Sequence, residues 1–566
     1  MPPAPNILSA QPRTTVQVTF PDGRVLEASK GATLEAFVRV HSGEQFRAVA
    51  AVVNNDLCEL THAPESDVSV TPLTLDSSDG VRIYRRALAF LLVTAVEELY
   101  PRHAVQVDYS VPFGGFFCQM MDCPQLSSAD LKRIEDHMHA MVAEDIPIER
   151  LRMPIHDARR IFADRRERDK EGLLGRRGKE YLMMYRLRRR IDAFYGYMVP
   201  STGYLNAFAI VPREDGFILQ YPRQQDPMTM TPPYPSPTLD AIFREYGELL
   251  RKLKIESIAQ INDAILAGRV REVILVSEAL HEQRIAHIAG QIAALRGTVR
   301  LVLTAGPSSS GKTTFSKRLA IQLLAQGVRP FTLELDRFFL EREQTPRDEH
   351  GNFDFEALEA LDLGLLNSCV NDLVNGKTVK LPTFNFKSGT RERGPSVRLR
   401  DDQVIIAEGI HGLNPRLLPS VPKDRTFRIY ISALTQLNID RHNRVPTTDT
   451  RLIRRIVRDA AHRGWTADDT LNMWESVRRG EKRNIFPFQE NADAMFNSAL
   501  VYELAVLKPI AHPLLLQVKP SSPRYIAAKR LLAFLNLIEG IKADMVPDNS
   551  LLREFVGGSI LDDYLP

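Results

Sequence analysis

The chain has 566 residues, and because a single core rarely extends beyond about 250–300 residues, about two to four domains are expected. Hydrophobic residues make up 44% and charged residues 25%, which is ordinary for a globular protein. The net charge of only +3 excludes a strong overall attraction to nucleic acid or to a membrane.

The N-terminus and the apolar runs predict a cytoplasmic protein without membrane contact. The first stretch, MPPAPNILSAQPRTT, has no apolar signal core, and the longest apolar run, residues 87–96, is about half the length of a membrane span. The cysteines are too few for a disulfide scaffold and lack metal-type spacing, which fits a reducing compartment. They are Cys58, Cys118, Cys123 and Cys369.

Residues 14–74 combine short strands with one amphipathic helix. TVQVTF and RVLEA flank the turn Pro21-Asp22-Gly23, TLEAFVRVH follows as a helix, and VSVTPL closes the block as a strand. The string TFPDGRVLEASKGATLEAFV resembles the TGS domain, a ubiquitin-like β-grasp module of threonyl-tRNA synthetases and some translation-linked GTPases. The resemblance implies a β-grasp domain over residues 14–74.

Residues 81–221 alternate long helical patterns with aromatic, glycine-containing strands. The strings YRRALAFLLVTAVEELYP, LKRIEDHMHAMVAEDIPI and VPSTG resemble the threonyl-tRNA synthetase domain that edits mischarged tRNA. In that domain an HxxxH pair and a CxxxH pair bind zinc. The aligned residues here are Arg86, Phe90, Phe194 and Met198. None is a zinc ligand, so the editing chemistry is predicted to be lost. Histidines outside the aligned positions are His137, His139 and His156.

The segment 165–190 carries eleven basic and four acidic residues, a local charge of +7. Such a run usually forms a solvated helix face, and an RNA contact through the N-terminal half is the functional alternative. A proline-rich stretch at 222–238 predicts a stiff linker, and helical segments are predicted over 239–297.

A phosphate site is predicted just after residue 300. VRLVLTA, residues 299–305, is a continuous apolar run typical of a strand buried on both faces. A glycine-rich loop and an amphipathic helix follow, and such a loop binds phosphates through backbone amides and the helix N-terminus. The predicted nucleotide-binding residues are Gly306, Ser308, Ser309, Ser310, Gly311, Lys312, Thr313 and Thr314. Lys312 should reach the β- and γ-phosphates, and Thr313 should reach Mg²⁺.

Two further strands are predicted to end in acids, FTLELD in Asp336 and VIIAEG at Glu408. Since ligands bind at the carboxyl ends of parallel strands, one acid could hold Mg²⁺ and the other could accept a proton. A helix over DTRLIRRIVRDAAHRG, residues 449–464, should present arginines opposite its apolar side as a lid over the transferred phosphoryl group. They are Arg451, Arg454, Arg455 and Arg458.

Residues 299–518 resemble the uridine kinase and phosphoribulokinase group of P-loop kinases. The matching strings are GPSSSGKTTFSKRL, LELDRFFLEREQTPRDEHGNFDFEALEALD, LPTFNFKSGTRE, VIIAEGIHGLNP and IRRIVRDAAHRG. Within the group the chain is most similar to bacterial nucleoside kinases with a threonyl-tRNA-synthetase-like N-terminal half. The resemblance implies ATP and Mg²⁺ as cofactors, with Asp336 as the catalytic base aided by Lys312 and Arg458. It implies Thr313, Glu408 and Asp336 as the metal-binding residues.

The resemblance also implies residues that contact the acceptor. They are Phe338, Phe384, Phe386, Arg391, Arg454 and Arg463. Here the sequence departs from uridine–cytidine kinases, because Phe384-Asn385-Phe386 replaces a Tyr-Asp-Phe string and Gly389 stands where a pyrimidine-reading His is expected. The loss of a hydrogen-bonding partner lowers discrimination, so a nucleoside is a stronger prediction than uridine.

Together these patterns predict a multidomain α+β and α/β chain. The predicted boundaries are 14–74 (TGS-like), 81–221 (editing-like), 222–238 (linker), 239–297 (helical connector), 298–520 (P-loop kinase-like with a parallel sheet) and 521–566 (helical tail). The predicted function is an ATP-dependent nucleoside kinase acting on a small-molecule acceptor. The alternatives are a sugar or sugar-phosphate kinase and a translation-associated RNA-binding regulator with a nucleotide switch. The tail could pack on the kinase core or make a homo-oligomer contact.

Overall fold

The structure, a computed structural model, describes residues 13–121, 123, 126–175, 180–349, 351–385 and 388–564. Helices and strands are numbered from the N-terminus. No helix within these ranges is long and apolar enough to cross a membrane.

The first sheet has five strands and one helix across it. Its elements are β1 (Thr15–Thr19), β2 (Val25–Ser29), α1 (Leu34–Ser42), β3 (Ala50–Val53), β4 (Asp56–Cys58) and β5 (Val68–Leu73). The strand order is β2-β1-β5-β3-β4, with β1 and β5 parallel and β1 and β2 antiparallel. Helix α1 begins after the side-chain cap of Thr33 and buries Phe37 and Val38 against the sheet, as the amphipathic pattern predicts.

A mixed block follows, built on a long buried helix. Its elements are α2 (Ser78–Leu99), β6 (Ala104–Val111), β7 (Gly115–Met121), α3 (Ser128–Ala143), β8 (Glu149–Pro154), α4 (Ile155–Asp164), α5 (Arg168–Leu174), β9 (Tyr181–Leu187), β10 (Arg190–Asp192), β11 (Ala209–Arg213) and β12 (Gly216–Gln220). The strands form two antiparallel sheets, β10-β9-β8 and β11-β12-β7-β6. The apolar run 87–96 lies in α2 and is buried on all sides.

Three helices connect this block to the C-terminal sheet. They are α6 (Pro237–Leu253), α7 (Ile258–Leu266) and α8 (Val270–Ala294). Residues 222–236, which precede α6, are all described and contain neither helix nor strand, apart from a bridge between Arg223 and Asp226.

The C-terminal sheet is fully parallel, with the order β14-β17-β13-β18-β19. The elements of this region are β13 (Leu301–Ala305), α9 (Lys312–Ala325), β14 (Arg329–Glu334), α10 (Leu363–Val374), β15 (Thr378–Asn385), β16 (Thr390–Arg398), β17 (Gln403–Glu408), β18 (Thr426–Ser432), α11 (Thr447–Arg463), α12 (Ala467–Asn484), β19 (Ala494–Asn497), α13 (Glu503–Leu516), α14 (Tyr525–Leu535) and α15 (Arg553–Val556). The predicted class, a multidomain α+β and α/β chain with a parallel sheet, is confirmed.

Strand register brings the predicted acids to one edge of this sheet. Thr304 on β13 and Glu334 on β14 both pair with Glu408 on β17, so the three strands end side by side. The loop after β13 and the turn after β14 therefore emerge next to Glu408, at the carboxyl edge where parallel sheets bind ligands.

Candidate phosphate-binding site

The loop 306–311 joins β13 to α9, and its path depends on glycine. A Cβ atom at Gly306 would overlap the carbonyl oxygen of Ile431 on β18, so the loop runs closer to the sheet than a larger residue allows. Gly311 has a left-handed φ of +84° directly before the helix. The hydroxyls of Ser309 and Ser310 are buried and have no hydrogen-bond partner among the described residues. Such unsatisfied groups at a helix N-terminus fit a phosphate chain.

Helix α11 supports the loop through buried arginines. Arg451 Nε donates to the carbonyl oxygen of Ser308 at 2.9 Å, and Arg454 Nη1 donates to that of Ser309 at 3.4 Å. Arg455 Nη1 donates to the Ser308 hydroxyl at 2.8 Å. Arg451 and Arg454 are 1% and 0% exposed. The loop is thus braced from the protein side.

This arrangement corrects two predictions from the sequence. The sequence predicts that these arginines belong to a lid over the transferred phosphoryl group and that Arg454 contacts the acceptor, yet Arg454 is buried in an ion pair with Glu503. Arg451 is likewise paired with Glu481. Although burial opposes ionisation, Arg451 and Arg478 hold the pKa of Glu481 below its ordinary value. The charges of Arg451 and Arg454 are compensated by carboxylates on other helices. The spacing of arginines along one helix cannot predict such partners.

Arg458 and Arg463 lie nearer to solvent at the end of the same helix. Both are paired with Asp459, at 3.0 Å and 3.4 Å. The pKa of Asp336 is raised by desolvation, and Arg463 slightly opposes that rise, so its positive charge lies within electrostatic reach of that carboxylate. Of the predicted arginines on α11, these two remain candidates for contact with a transferred phosphoryl group.

Lys312 lies among the predicted carboxylates. Asp336 is exposed to solvent, yet the surrounding protein atoms desolvate its carboxyl and raise its pKa, and Lys312 opposes that rise. Burial raises the pKa of Glu408 to about 7, and Lys312 again opposes it. Thr313 Oγ1 donates to Glu408 Oε2 at 3.1 Å. A hydroxyl beside a carboxylate suits Mg²⁺, which is bound by one or two protein oxygens together with phosphate oxygens and water.

Glu356 is a third carboxylate at this place that the sequence did not single out. Its pKa is raised to about 7, mainly by burial and in part by Glu481 and Asp336, while Arg455 and Lys312 oppose the rise. The residue lies in the string GNFDFEALEALD, which carries part of the family resemblance. An unassigned acid in a matching string is the signal that could have identified it.

The predicted acceptor residues are not all at the cleft. Phe338 is 0% exposed and packs in the core below the sheet edge, so it cannot stack on a base, and that prediction is wrong. Phe384 is half-buried, lies opposite Arg391 across the β15–β16 hairpin, and packs against Phe339 at 5.8 Å between ring centroids. Arg391 pairs with Asp362 at 2.7 Å.

The β15–β16 hairpin carries three of the predicted acceptor residues, Phe384, Phe386 and Arg391. Strand β15 packs against the turn 335–338 that contains Asp336, so Phe384 and Phe339 belong to the same wall as the proposed base. Phe386 lies outside the described residues. Gly389 is in the turn of the hairpin, with φ of +71°.

The C-terminal segment contacts the start of α9, so the tail packs on the kinase-like core, one of the two alternatives that the sequence left open. Glu554 Oε2 on α15 accepts hydrogen bonds from Thr314 N at 3.2 Å and Thr314 Oγ1 at 3.1 Å. Leu551 packs against Gly311, and Lys317 Nζ donates to the carbonyl oxygen of Leu561 at 2.6 Å. The Glu554 carboxylate therefore already accepts a hydrogen bond from one amide at the N-terminus of α9.

The residues aligned with the editing zinc ligands pack together. Phe90 and Phe194 have ring centroids 5.1 Å apart and are buried with Met198, and Arg86 Nη1 donates to the carbonyl oxygen of Tyr197 at 2.8 Å.

The histidines outside the aligned positions lie elsewhere in this block. His137 lies 2.7 Å from Glu98, His139 stacks on Phe208, and His156 is exposed beside Asp157.

The basic segment 165–190 is largely compensated by acids. Lys170 and Arg190 are buried and pair with Asp192, whose pKa they hold well below its ordinary value despite burial. The prediction of a solvated basic face is therefore wrong for these two residues. Arg186 and Arg188 also pair with acidic side chains. Residues 176–179 lie outside the described ranges.

The site has the geometry of a P-loop followed by two strand-end acids, and comparison with known proteins agrees. Residues 301–505 match the sequence model of the Phosphoribulokinase / Uridine kinase family. The resemblance predicted from the sequence is confirmed for this stretch, which we call the kinase-family region.

The N-terminal region is similar to curated threonine–tRNA ligases. Threonine–tRNA ligase 2 of Bacillus subtilis is 33% identical over 198 residues, covering 34% of this chain and 31% of the ligase. The threonine–tRNA ligase of Methylococcus capsulatus is 32% identical over 197 residues, with 34% and 31% covered. The chain thus spans about a third of the length of these relatives.

Solved structures of kinases are also similar. One is a protein described as a possible uridine kinase from Bacillus stearothermophilus, with 24% identity, 38% of this chain and 97% of that chain covered, and a TM-score of 0.24. Another is D-glycerate 3-kinase from Cryptococcus neoformans, with 15% identity, 45% and 87% covered, and a TM-score of 0.21.

Proposed function

We propose that the protein is an ATP-dependent phosphotransferase that phosphorylates the 5′-hydroxyl of a nucleoside. The observation that carries the proposal is the position of Lys312, on a phosphate-binding loop, within electrostatic reach of Asp336 and Glu408 at one edge of a parallel sheet. The match of residues 301–505 to a family of kinases supports it.

The described residues suggest how the transfer would run. The loop amides and Lys312 hold the phosphate chain, and Thr313 and Glu408 hold Mg²⁺, which when bound neutralises phosphate charge. Asp336 accepts the proton of the acceptor hydroxyl while the oxygen of that hydroxyl forms a bond to the γ-phosphorus. The bond from that phosphorus to the β,γ-bridging oxygen breaks, and ADP leaves. The raised pKa of Asp336 strengthens it as a base.

The nucleoside is proposed because aromatic side chains line the acceptor wall. Phe384 and Phe339 can stack on a base, although Phe338 is in the core. A sugar or sugar-phosphate acceptor is the second candidate, because Arg391 on the hairpin could exchange Asp362 for an acceptor phosphate. A panel of nucleosides and sugar phosphates, assayed for ADP release and for the phosphorylated product, separates the two.

Two variants test the chemistry itself. Lys312→Ala and Asp336→Asn should each lower turnover by about 10²-fold or more, since each removes a charged group from the reacting centre. Asp336→Asn should leave ATP binding largely intact. Near-normal turnover of Asp336→Asn would show that another group is the base.

A nucleotide-dependent RNA-binding regulator is the candidate from another class, supported by the similarity of the N-terminal region to threonine–tRNA ligases. It would show tight, salt-dependent tRNA binding and negligible turnover with every small acceptor.

A further inference from the structure

A cavity of about 480 Å³ lies between three parts of the chain, away from the phosphate loop. Helix α2 and the segment 194–197 form one wall, the segment 439–449, which includes the first turn of α11, forms the second, and α14 forms the third. The volume falls within the range of small-molecule sites. The cavity contains Arg86 and Phe194, which align with the zinc-binding positions of editing domains.

The walls of this cavity carry more positive than negative charge. Six Lys and Arg residues and three Asp residues line it, which leaves three positive charges uncompensated. Lys529 pairs with Asp56, Arg82 pairs with Asp79, and Arg530 pairs with Asp449, so every acid in the lining is used.

The three remaining guanidinium groups are those of Arg85, Arg86 and Arg444. Arg86 donates to the carbonyl oxygen of Tyr197, and Arg444 donates to that of Asp108 at 2.6 Å and to the Ser110 hydroxyl. Among the described residues none of the three has an ion-pair partner, and Arg85 makes no hydrogen bond.

These like charges lie close together. The guanidinium groups of Arg85 and Arg444 lie 5.8 Å and 5.5 Å from the ring of Phe116. The pKa of Arg86 and that of Arg444 are lowered to about 10, mainly by burial and in part by the charge of Arg85. The three side chains are half-buried, and Asp108 attracts Arg444 and Asp449 attracts Arg85 without forming an ion pair. Because positive charges that are partly removed from water remain in excess, the cavity is suited to an anion.

The cavity also has an aromatic and apolar lining that inorganic phosphate alone would not fill. Phe116, Phe194, Tyr195 and Phe534 contribute to it. Guanidinium groups recognise phosphate oxygens through paired hydrogen bonds, and rings stack on aromatic walls. We propose that this cavity binds a small phosphate ester with a planar ring, of the size of a nucleoside monophosphate.

The position of the cavity links it to the phosphate loop. Arg444 precedes α11 and Asp449 lies in its first turn, and Arg451 and Arg454, about one and two turns into the same helix, bond to the carbonyl oxygens of the loop. A ligand bound between α2 and α11 would therefore act on the helix that braces the loop. The proposal does not depend on the acceptor of the kinase-family region.

The test separates this cavity from the phosphate loop. The Lys312→Ala variant of the full chain is titrated calorimetrically with uridine 5′-monophosphate, inorganic phosphate and uridine. We expect the monophosphate to bind more tightly than either of the others. Adding Arg85→Gln should weaken its binding about tenfold or more, while Arg85→Lys should retain part of it. Arg102→Gln, at an exposed arginine of the same half, is the matched control and should leave the affinity unchanged.

A second measurement does not depend on the folding of a variant. Arginine modification of the wild-type protein by phenylglyoxal, read by mass spectrometry, should be slowed at Arg85 and not at Arg102 by the monophosphate. The proposal is overturned if no phosphate ester binds the Lys312→Ala variant, or if Arg85→Gln binds like its parent. Binding of tRNA without binding of the monophosphate would overturn it in favour of a nucleic-acid site.

Discussion

At the scale of single residues, Glu356 gives the clearest pH dependence. Its pKa is raised to about 7 in the folded protein, against an ordinary value near 4.5. The folded state therefore binds more protons than the unfolded state between these values, and the stabilising protonated form is lost as the pH rises through about 7. Glu356→Gln should raise the free energy of unfolding at pH 8 by about 1 kcal/mol or more.

The control for this prediction is the same pair of proteins at pH 4.5. There the wild-type carboxyl is protonated in the folded state and about half protonated in the unfolded state, which leaves a difference of only about 0.4 kcal/mol, so the two proteins should unfold at similar denaturant concentrations. A stabilisation of equal size at pH 4.5 and pH 8 would show that packing, not charge, causes it.

Glu554 permits a second residue-scale prediction. Its carboxylate accepts hydrogen bonds from the amide and hydroxyl of Thr314, at the first turn of α9. An anion at a helix N-terminus is stabilised by about 0.3–1 kcal/mol, so removing it should favour another anion there by a few-fold. Glu554→Gln should bind ADP or ATP more tightly in a fluorescence titration. Asp562→Asn, in the same segment, is the control, and equal affinities for both variants would contradict the interpretation.

At the scale of elements, the buried pair Arg451–Glu481 joins α11 to α12 beneath the loop. Removing one partner of a fully buried pair costs about 3–5 kcal/mol, and here Arg478 would remain as the partner of Glu481, so the loss should lie toward the lower end of that range. Arg451→Met should therefore lower the unfolding midpoint far more than Arg458→Met, whose parent side chain is nearer to solvent. Similar losses of stability in urea for both variants would contradict the role of Arg451 as a brace.

The elements around the phosphate site could be predicted from the sequence to a useful degree. The apolar run before Gly306 and the acids that end β17 and follow β14 place Asp336 and Glu408 together, because parallel strands end at one edge. The burial of Arg454 could not be predicted, since its partner Glu503 is 49 residues away in sequence. Phe338 was misplaced because its apolar character fits a core and a base-stacking wall equally well.

At the scale of the whole molecule, the two halves are joined by buried polar contacts. Asn438 donates to the carbonyl oxygen of Val107 at 3.2 Å, Gln436 donates to Asp108 at 3.0 Å, and Arg441 pairs with Asp169 at 2.7 Å. His442 lies 3.1 Å from Asp192 of the N-terminal half, and burial lowers its pKa to about 4. No pattern in the sequence predicted this interface, because each contact spans more than 200 residues.

These contacts predict that the halves unfold together. A fragment of residues 222–566 would leave the partners of Asp108, Asp169 and Asp192 without their hydrogen bonds, so its unfolding temperature should lie several degrees below that of the full chain. Scanning calorimetry of both proteins provides the measurement. Equal unfolding temperatures, or two separate transitions in the full chain, would show that the interface contributes little.

The contact of the last helix with α9 has a consequence for every titration of the site. A phosphate chain that uses the Thr314 amide would have to displace the Glu554 carboxylate, so a titration would record an exchange of one anion for another. The measured affinity would therefore be lower than the affinity of the loop and the α9 N-terminus for phosphate alone. A chain shortened to end before Arg553 would lack Glu554 and would show that higher affinity.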